Sequence, residues 1–244
     1  ETASNAEQSD EYVTWRQEAR HRFKAGKGIR VFSKPDKLKE WIDTQDGVSY
    51  EQRKGLITDA GSIVPGLTIE NDGVEFFCHS PFIKHTDDNS EVLRNEASLI
   101  FNIRLKVDSY QCNYFHFGDS EYTVIEDIVS ITNKHNPEWL KWDIMNIPHH
   151  CSYQALSNEK GALETEPTDK VTELLLSGRT SSYIISSSLP IPDVKVSYNR
   201  TQPPHIQAKK CYEKYLDKVG GCKFLVTMEE SDHQNPQPIV IKIA

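Results

Sequence analysis

Asp119 and the pair His149 and His150 are the residues of this sequence best placed to do chemistry. Asp119 follows Gly118 at the end of an apolar run from Tyr114 to Phe117, and the histidines follow Pro148 at the end of a run from Asp143 to Ile147. Both runs read as buried strands, and α/β sheets carry their sites at the C-terminal ends of such strands. A carboxylate beside imidazoles suits zinc or manganese. Each piece also has a plainer reading: Gly-Asp is a common turn, and a His-His pair can be a solvated loop. The succession of strand, Gly-Asp, helix, strand and Pro-His-His is more specific than either piece.

The elements that must hold these residues follow from periodicity and punctuation. Residues 8–25 read as a helix, capped by Ser9 or Asp10 and ended by Gly26 and Gly28. Residues 28–33 look like a strand, and 36–43 like a short helix with Leu38, Trp41 and Ile42 on one face. Residues 44–54 read as loop. A small meander spans 61–81, with a hairpin cue at Asn71-Asp-Gly73. A polar connector covers 85–95. Strands are expected over 97–107 and 111–119, joined at Asp108 to Tyr110, then a helix over 122–133 with Val124, Ile125, Ile128 and Ile131 inward. Residues 142–152 form a strand running into a polar loop, and 181–188 repeat that pattern. A helix over 204–220 precedes two paired terminal strands, Cys222 to Met228 and Pro238 to Ala244. Strands alternating with helices make an α/β layered domain, without internal repeats.

Bulk composition narrows the classes. With 244 residues, 37% hydrophobic and 26% charged, the chain can bury a real core in one large domain or two small ones. No run approaches the apolar length of a membrane helix, and the polar start carries no signal peptide, which points to the cytoplasm. The net charge of −8 argues against broad wrapping of nucleic acid but leaves a phosphodiester substrate open, because metal supplies positive charge locally. Five cysteines, an odd number without a CxxC pair, read as free thiols in a reducing compartment.

The order Asn95-x-x-Ser98 with its strand, then Phe117-Gly-Asp119, then Asp143 through Pro148-His-His-Cys-Ser152 resembles the ComEC-like branch of the metallo-β-lactamase superfamily. The strand over 181–188, the Pro204-His205 turn with its helix and the terminal strands resemble the family's later elements. The resemblance implies an αββα sandwich, present here as its C-terminal half (55–244) with a helical and linker segment (1–54). It implies metal-dependent hydrolysis, most readily of phosphodiesters such as nucleic acid. Asp119 would bridge two zinc or manganese ions. One of His149 and His150 would bind metal while the other positions the substrate. Ser152 would cap the following helix, and Ser152, Arg200 and His205 are candidate substrate contacts.

Three departures qualify this. The family's His-x-His-x-Asp-His motif is absent, and His21, His79, His85, His116, His135 and His233 match no ligand spacing. That implies an upstream half of the same protein as partner, or a metal-free binding or scaffold module that kept the fold. Cys151 stands where the family has Gly, as a free loop thiol or a metal ligand, and would be strained if that position needs a positive φ. Glu96 stands where a second Asn is common. Arg200, Lys209, Lys210 and Lys214 surround His205, either to meet a phosphate or as a solvated helix face.

Overall fold

The computed structural model describes residues 9–32, 36–82, 97–231 and 234–242. The polar connector at 85–95, Asn95, Glu96, His85 and His233 lie outside the described residues.

The N-terminal segment folds around local caps. Helix α1, Asp10–Ala25, starts where the Ser9 hydroxyl accepts from Tyr12 N and stops at Gly26, whose φ of 77° suits only a residue without Cβ. Arg53 closes its last turn, donating to the Phe23 and Lys24 carbonyls. Strand β1, Val31–Phe32, is followed by α2, Asp36–Asp43, whose Ile42 is fully buried and whose Trp41 lies under the Arg20 guanidinium. The stretch expected to be loop holds a turn of helix, α3, Tyr50–Arg53. Its start is a local signal: the Gln52 side chain accepts from Ser49 N at 3.1 Å. Strand β2, Ile57–Thr58, pairs in parallel with β1.

The main sheet has seven strands, hydrogen-bonded in chain order. They are β3 (Ser62–Ile63), β4 (Val74–Ser80), β5 (Ile100–Val107), β6 (Tyr110–His116), β7 (Trp142–Asn146), β8 (Gly178–Ser186) and β9 (Lys223–Val226). Pairings from β3 to β6 are antiparallel, and those from β6 to β9 are parallel. Parallel neighbours need crossovers, supplied by α4 (Tyr122–His135), α5 (Asp169–Leu175) and α6 (Ile206–Lys218). The three helices pack side by side, α4 on α5 and α5 on α6. The molecule is therefore mixed α/β, with one large mixed sheet and a two-stranded ribbon among the described residues.

The core lies between sheet and helices. Ile100, Phe115, Phe117, Met145 and Ile184 face Val124, Ile128, Val171, Leu174, Tyr212 and Leu216. On α4 the inward stripe is Val124, Ile125, Ile128, Val129 and Thr132, while Ile131 is 41% exposed. Ile131 lies just past one edge of that stripe, and Val129 completes the other. From the opposite face of the sheet Phe101 meets Phe32 and Phe76 edge-on.

Several buried polar groups in the antiparallel part are bonded, although Ser80 Oγ, Asn102 Oδ1 and Arg104 Nε are not. Asn102 donates to the Trp139 and Lys141 carbonyls at 2.7 and 2.9 Å, and Asn113 donates to the Lys141 carbonyl. His79 sits between the Thr132 hydroxyl and the Trp139 carbonyl, both at 3.2 Å. Arg104 lies 3.5 Å over the Trp139 ring and reaches Glu75.

Two expectations about turns are corrected. The paired terminal strands do not form: β9 adds to β8 in parallel, and residues 234–242 hold no strand. The crossover through α6 brings β9 in parallel to β8, and no described strand lies beyond it. Asn71-Asp-Gly73 is not a tight hairpin but the end of a longer loop between β3 and β4. Gly73 is required there, at φ 69° with the Lys106 carbonyl 2.9 Å from where a Cβ would sit.

All five cysteines are free thiols. Burial pushes Cys78 and Cys211 up to about 12 and Cys112 to about 11, and raises Cys151 further; Cys222 is exposed. No described helix is long and apolar enough to cross a membrane.

Candidate active site at the ends of the parallel strands

Strands β6 and β7 run side by side with His116 opposite Asn146, so their C-terminal ends emerge together. His149 N donates to the Gly118 carbonyl at 3.2 Å, which ties the two loops to each other. Gly118 is forced by its neighbour: a Cβ there would lie 3.0 Å from Ser98 Cβ. That close approach lets the Ser98 hydroxyl accept from Asp119 N at 3.1 Å, fixing the carboxylate-bearing residue.

His149, His150 and Cys151 have φ of 51°, 53° and 65°, three consecutive L-residues in the left-handed region. Each costs about 1 kcal/mol or more relative to right-handed backbone. The turn is closed by Cys151 N donating to the Pro148 carbonyl and Ser152 N to the His149 carbonyl. It is held from outside by α6, where His205 N donates to the Cys151 carbonyl at 3.0 Å and the Cys151 thiol lies 3.9 Å from the His205 carbonyl. Cys151 is a free thiol in this turn, as read from sequence, but it is fully buried and seats the turn on the helix.

The turn sends the His150 ring towards Asp119. His150 Nδ1 is 2.8 Å from the Ser187 carbonyl, and Nε2 is 3.6 Å from Asp119 Oδ1. A carbonyl only accepts, so Nδ1 carries the proton. Nε2 then faces the Asp119 carboxylate. Two acceptors so placed repel each other unless a proton or a cation lies between them. A ring proton given to a backbone carbonyl is also the arrangement that prepares a histidine for metal.

The other sequence candidates take different places. His149 Nδ1 is buried without a hydrogen-bond partner. Ser152 is fully buried, and its hydroxyl accepts from Gln154 N, capping a short 3-10 turn over Tyr153–Ala155. His205 is the residue before α6, 1% exposed; its Nδ1 accepts from Tyr153 N at 3.4 Å and its Nε2 has no partner. Burial lowers its pKa; the Thr201 backbone opposes this without a bond of good geometry, while Lys160, His149 and Arg200 add to it. An open cavity of about 400 Å³ lies alongside, between His150 and Ser187 on one wall and Pro203, Pro204 and Met228 on others.

Among the described residues no three His, Cys, Asp or Glu side chains are gathered so as to hold a metal ion. Asp119 and His150 by themselves are fewer ligands than a zinc site takes. Ser187 escaped sequence reasoning, because only strand order brings it beside His150. The chain matches no family model, no curated protein and no solved structure.

Proposed function

We propose that this chain carries part of the catalytic centre of a metal-dependent hydrolase of the metallo-β-lactamase fold, acting on phosphodiester bonds with nucleic acid as the leading substrate class. The observation that carries the reading is the Asp119–His150 pair, in which Nδ1 is held by the Ser187 carbonyl and Nε2 faces the carboxylate across 3.6 Å. Asp119 and His150 would hold zinc or manganese, and His149, with its unpartnered Nδ1, is the third candidate ligand. Bound metal would supply an activated water and neutralise phosphoryl charge. The chain's own contribution is positioning: Ser98 fixes Asp119, the Ser187 carbonyl sets the proton of His150, and Cys151 with α6 keeps the turn in its strained form. Further ligands would come from an upstream half of the same protein.

A metal-free scaffold is the second reading, favoured by the lack of a three-ligand group among the described residues. Titrating zinc or manganese into the protein separates the two. The hydrolase reading expects binding that weakens at least about tenfold in both Asp119→Ala and His150→Ala, about 1.4 kcal/mol. Equal affinity in the wild type and both variants would leave the scaffold.

A further inference from the structure

The cavity of about 400 Å³ beside His150 is built at the ends of three neighbouring parallel strands. His150 follows β7, Ser187 to Leu189 follow β8, and Thr227 and Met228 follow β9. Pro203 and Pro204, in the turn before α6, close it. The C-terminal ends of parallel strands are where α/β sheets hold ligands. His150 is both a wall of the cavity and half of the Asp119–His150 pair, so a group in the cavity sits beside that pair.

The walls select an uncharged occupant with apolar faces. Apart from His150, no described residue lining the cavity can carry a charge. Lys209, Lys210 and Lys214 on α6 are paired with Glu229 at 3.6 Å, Asp193 at 3.1 Å and Glu164 at 2.6 Å, and neither they nor Arg200 line it. Most polar groups of the wall are already engaged. Ser188 Oγ lies 2.8 Å from Ser186 Oγ and donates to the Leu189 carbonyl at 3.1 Å, and Thr227 Oγ1 donates to the Ser188 carbonyl at 3.4 Å. The Ser187 carbonyl is taken by His150 Nδ1. The surface that remains is Leu189, Pro203, Pro204 and Met228. Met228 supplies a thioether, which packs favourably against an aromatic ring. Leu189 is 55% exposed, apolar surface that an occupant would take from water. The volume is near the lower end of the range for small-ligand sites, about 300–1,000 Å³, and suits a single ring system.

We propose that this cavity holds one nucleobase of the substrate, beside the Asp119–His150 pair that faces the adjoining phosphodiester. The proposal deepens the hydrolase reading and rests on it for the reaction, though not for binding of the base. Of the parts of a nucleic acid, only the base is flat, uncharged and apolar on its faces, so it is the part these walls fit. A chain whose net charge is −8 also gains more from gripping a base than from tracking a phosphate backbone. The cavity therefore favours nucleotidyl esters over phosphodiesters with alkyl groups alone.

The test is binding of adenosine, a base without phosphate, to the full chain with a chelator present. Saturable binding is expected, with none for ribose. It should be about tenfold weaker in Leu189→Asp and retained in Leu189→Met. It should be unchanged in Val107→Asp, which puts the same charge on an exposed apolar residue at the opposite end of the sheet. No saturable binding of adenosine, equal binding of ribose, or equal losses in Leu189→Asp and Val107→Asp would overturn the subsite. Adenosine binding that depends on Leu189 in a protein that neither binds metal through Asp119 nor hydrolyses a phosphodiester would keep the subsite and sink the hydrolase. Metal binding with hydrolysis but without adenosine binding would do the reverse.

Discussion

Two histidines of this chain are almost equally buried and are treated in opposite ways. His79, in the antiparallel part, is 2% exposed with both ring nitrogens bonded. His205, at the ends of the parallel strands, is 1% exposed with one nitrogen bonded weakly and the other not at all. The amide nitrogens of Asn102 and Asn113 likewise bond, to the carbonyls of Trp139 and Lys141 at the 3-10 turn before β7. His149 follows His205. Burial alone therefore does not mark a site. What separates the histidines is a ring nitrogen left open, at His149 and His205 but not at His79, although single open polar atoms also occur in the antiparallel part, at Ser80, Asn102 and Arg104.

The comparison can be broken in several places. The largest effect is expected at Asp119. Under the hydrolase reading, Asp119→Ala should lower turnover by about three orders of magnitude, while the melting temperature moves by no more than about 2 °C, since the side chain is half exposed. His150→Ala should follow it, and His149→Ala and His205→Ala should lose less. Full turnover in Asp119→Ala would remove the central residue of the hydrolase reading.

Next comes stability. His79→Ala should cost about 3 kcal/mol, from a cavity and the bonds lost to Thr132 and Trp139. His205→Ala should cost about 1 kcal/mol less, because it also removes an unpaired donor. Urea denaturation of the two variants reads this difference, and equal losses would dissolve the contrast.

Acid offers a third route. Burial pushes His79 down to about 3, below its ordinary value near 6.5, so the fold favours the neutral ring. The associated stability is complete above pH 6.5 and is lost progressively as pH falls towards 3, on the order of 4 kcal/mol in all. His205 is lowered by burial too and adds in the same direction. His79→Leu should flatten the slope of stability against pH across that window, and an unchanged slope would assign it to other groups.

The smallest effect is at the strained turn. Cys151→Gly should be more stable than Cys151→Ala by about 1 kcal/mol, because glycine alone escapes the left-handed penalty at φ 65°. Melting curves of the pair would show the reverse order if the turn relaxes.

Much of the layering was legible in sequence. The runs that became β5, β6, β7 and β8 and the helices α1, α2, α4 and α6 announced themselves through period and caps, because those signals are local. The Asp119 and His150 ends were legible for the same reason. What failed was non-local or marginal. Ile131 lies only a small rotation outside the edge of the buried stripe marked by Val124, which an apolar count cannot resolve. The partner of β9 depends on a crossover, not on the terminal residues. Cys151 reads as a loop residue until α6 arrives to bury it, and Ser187 means nothing until β8 lies beside β7.

The thiols have a practical consequence. Cys222 alone is exposed, whereas Cys78, Cys112, Cys151 and Cys211 are buried and held in their unreactive protonated form. A thiol reagent should therefore modify one position quickly in the native protein and the other four only when the chain opens. Those four sit in β4, in β6, in the strained turn and in α6. Slow alkylation followed by mass mapping would thus time the opening of each region separately, with Cys222 as the internal clock.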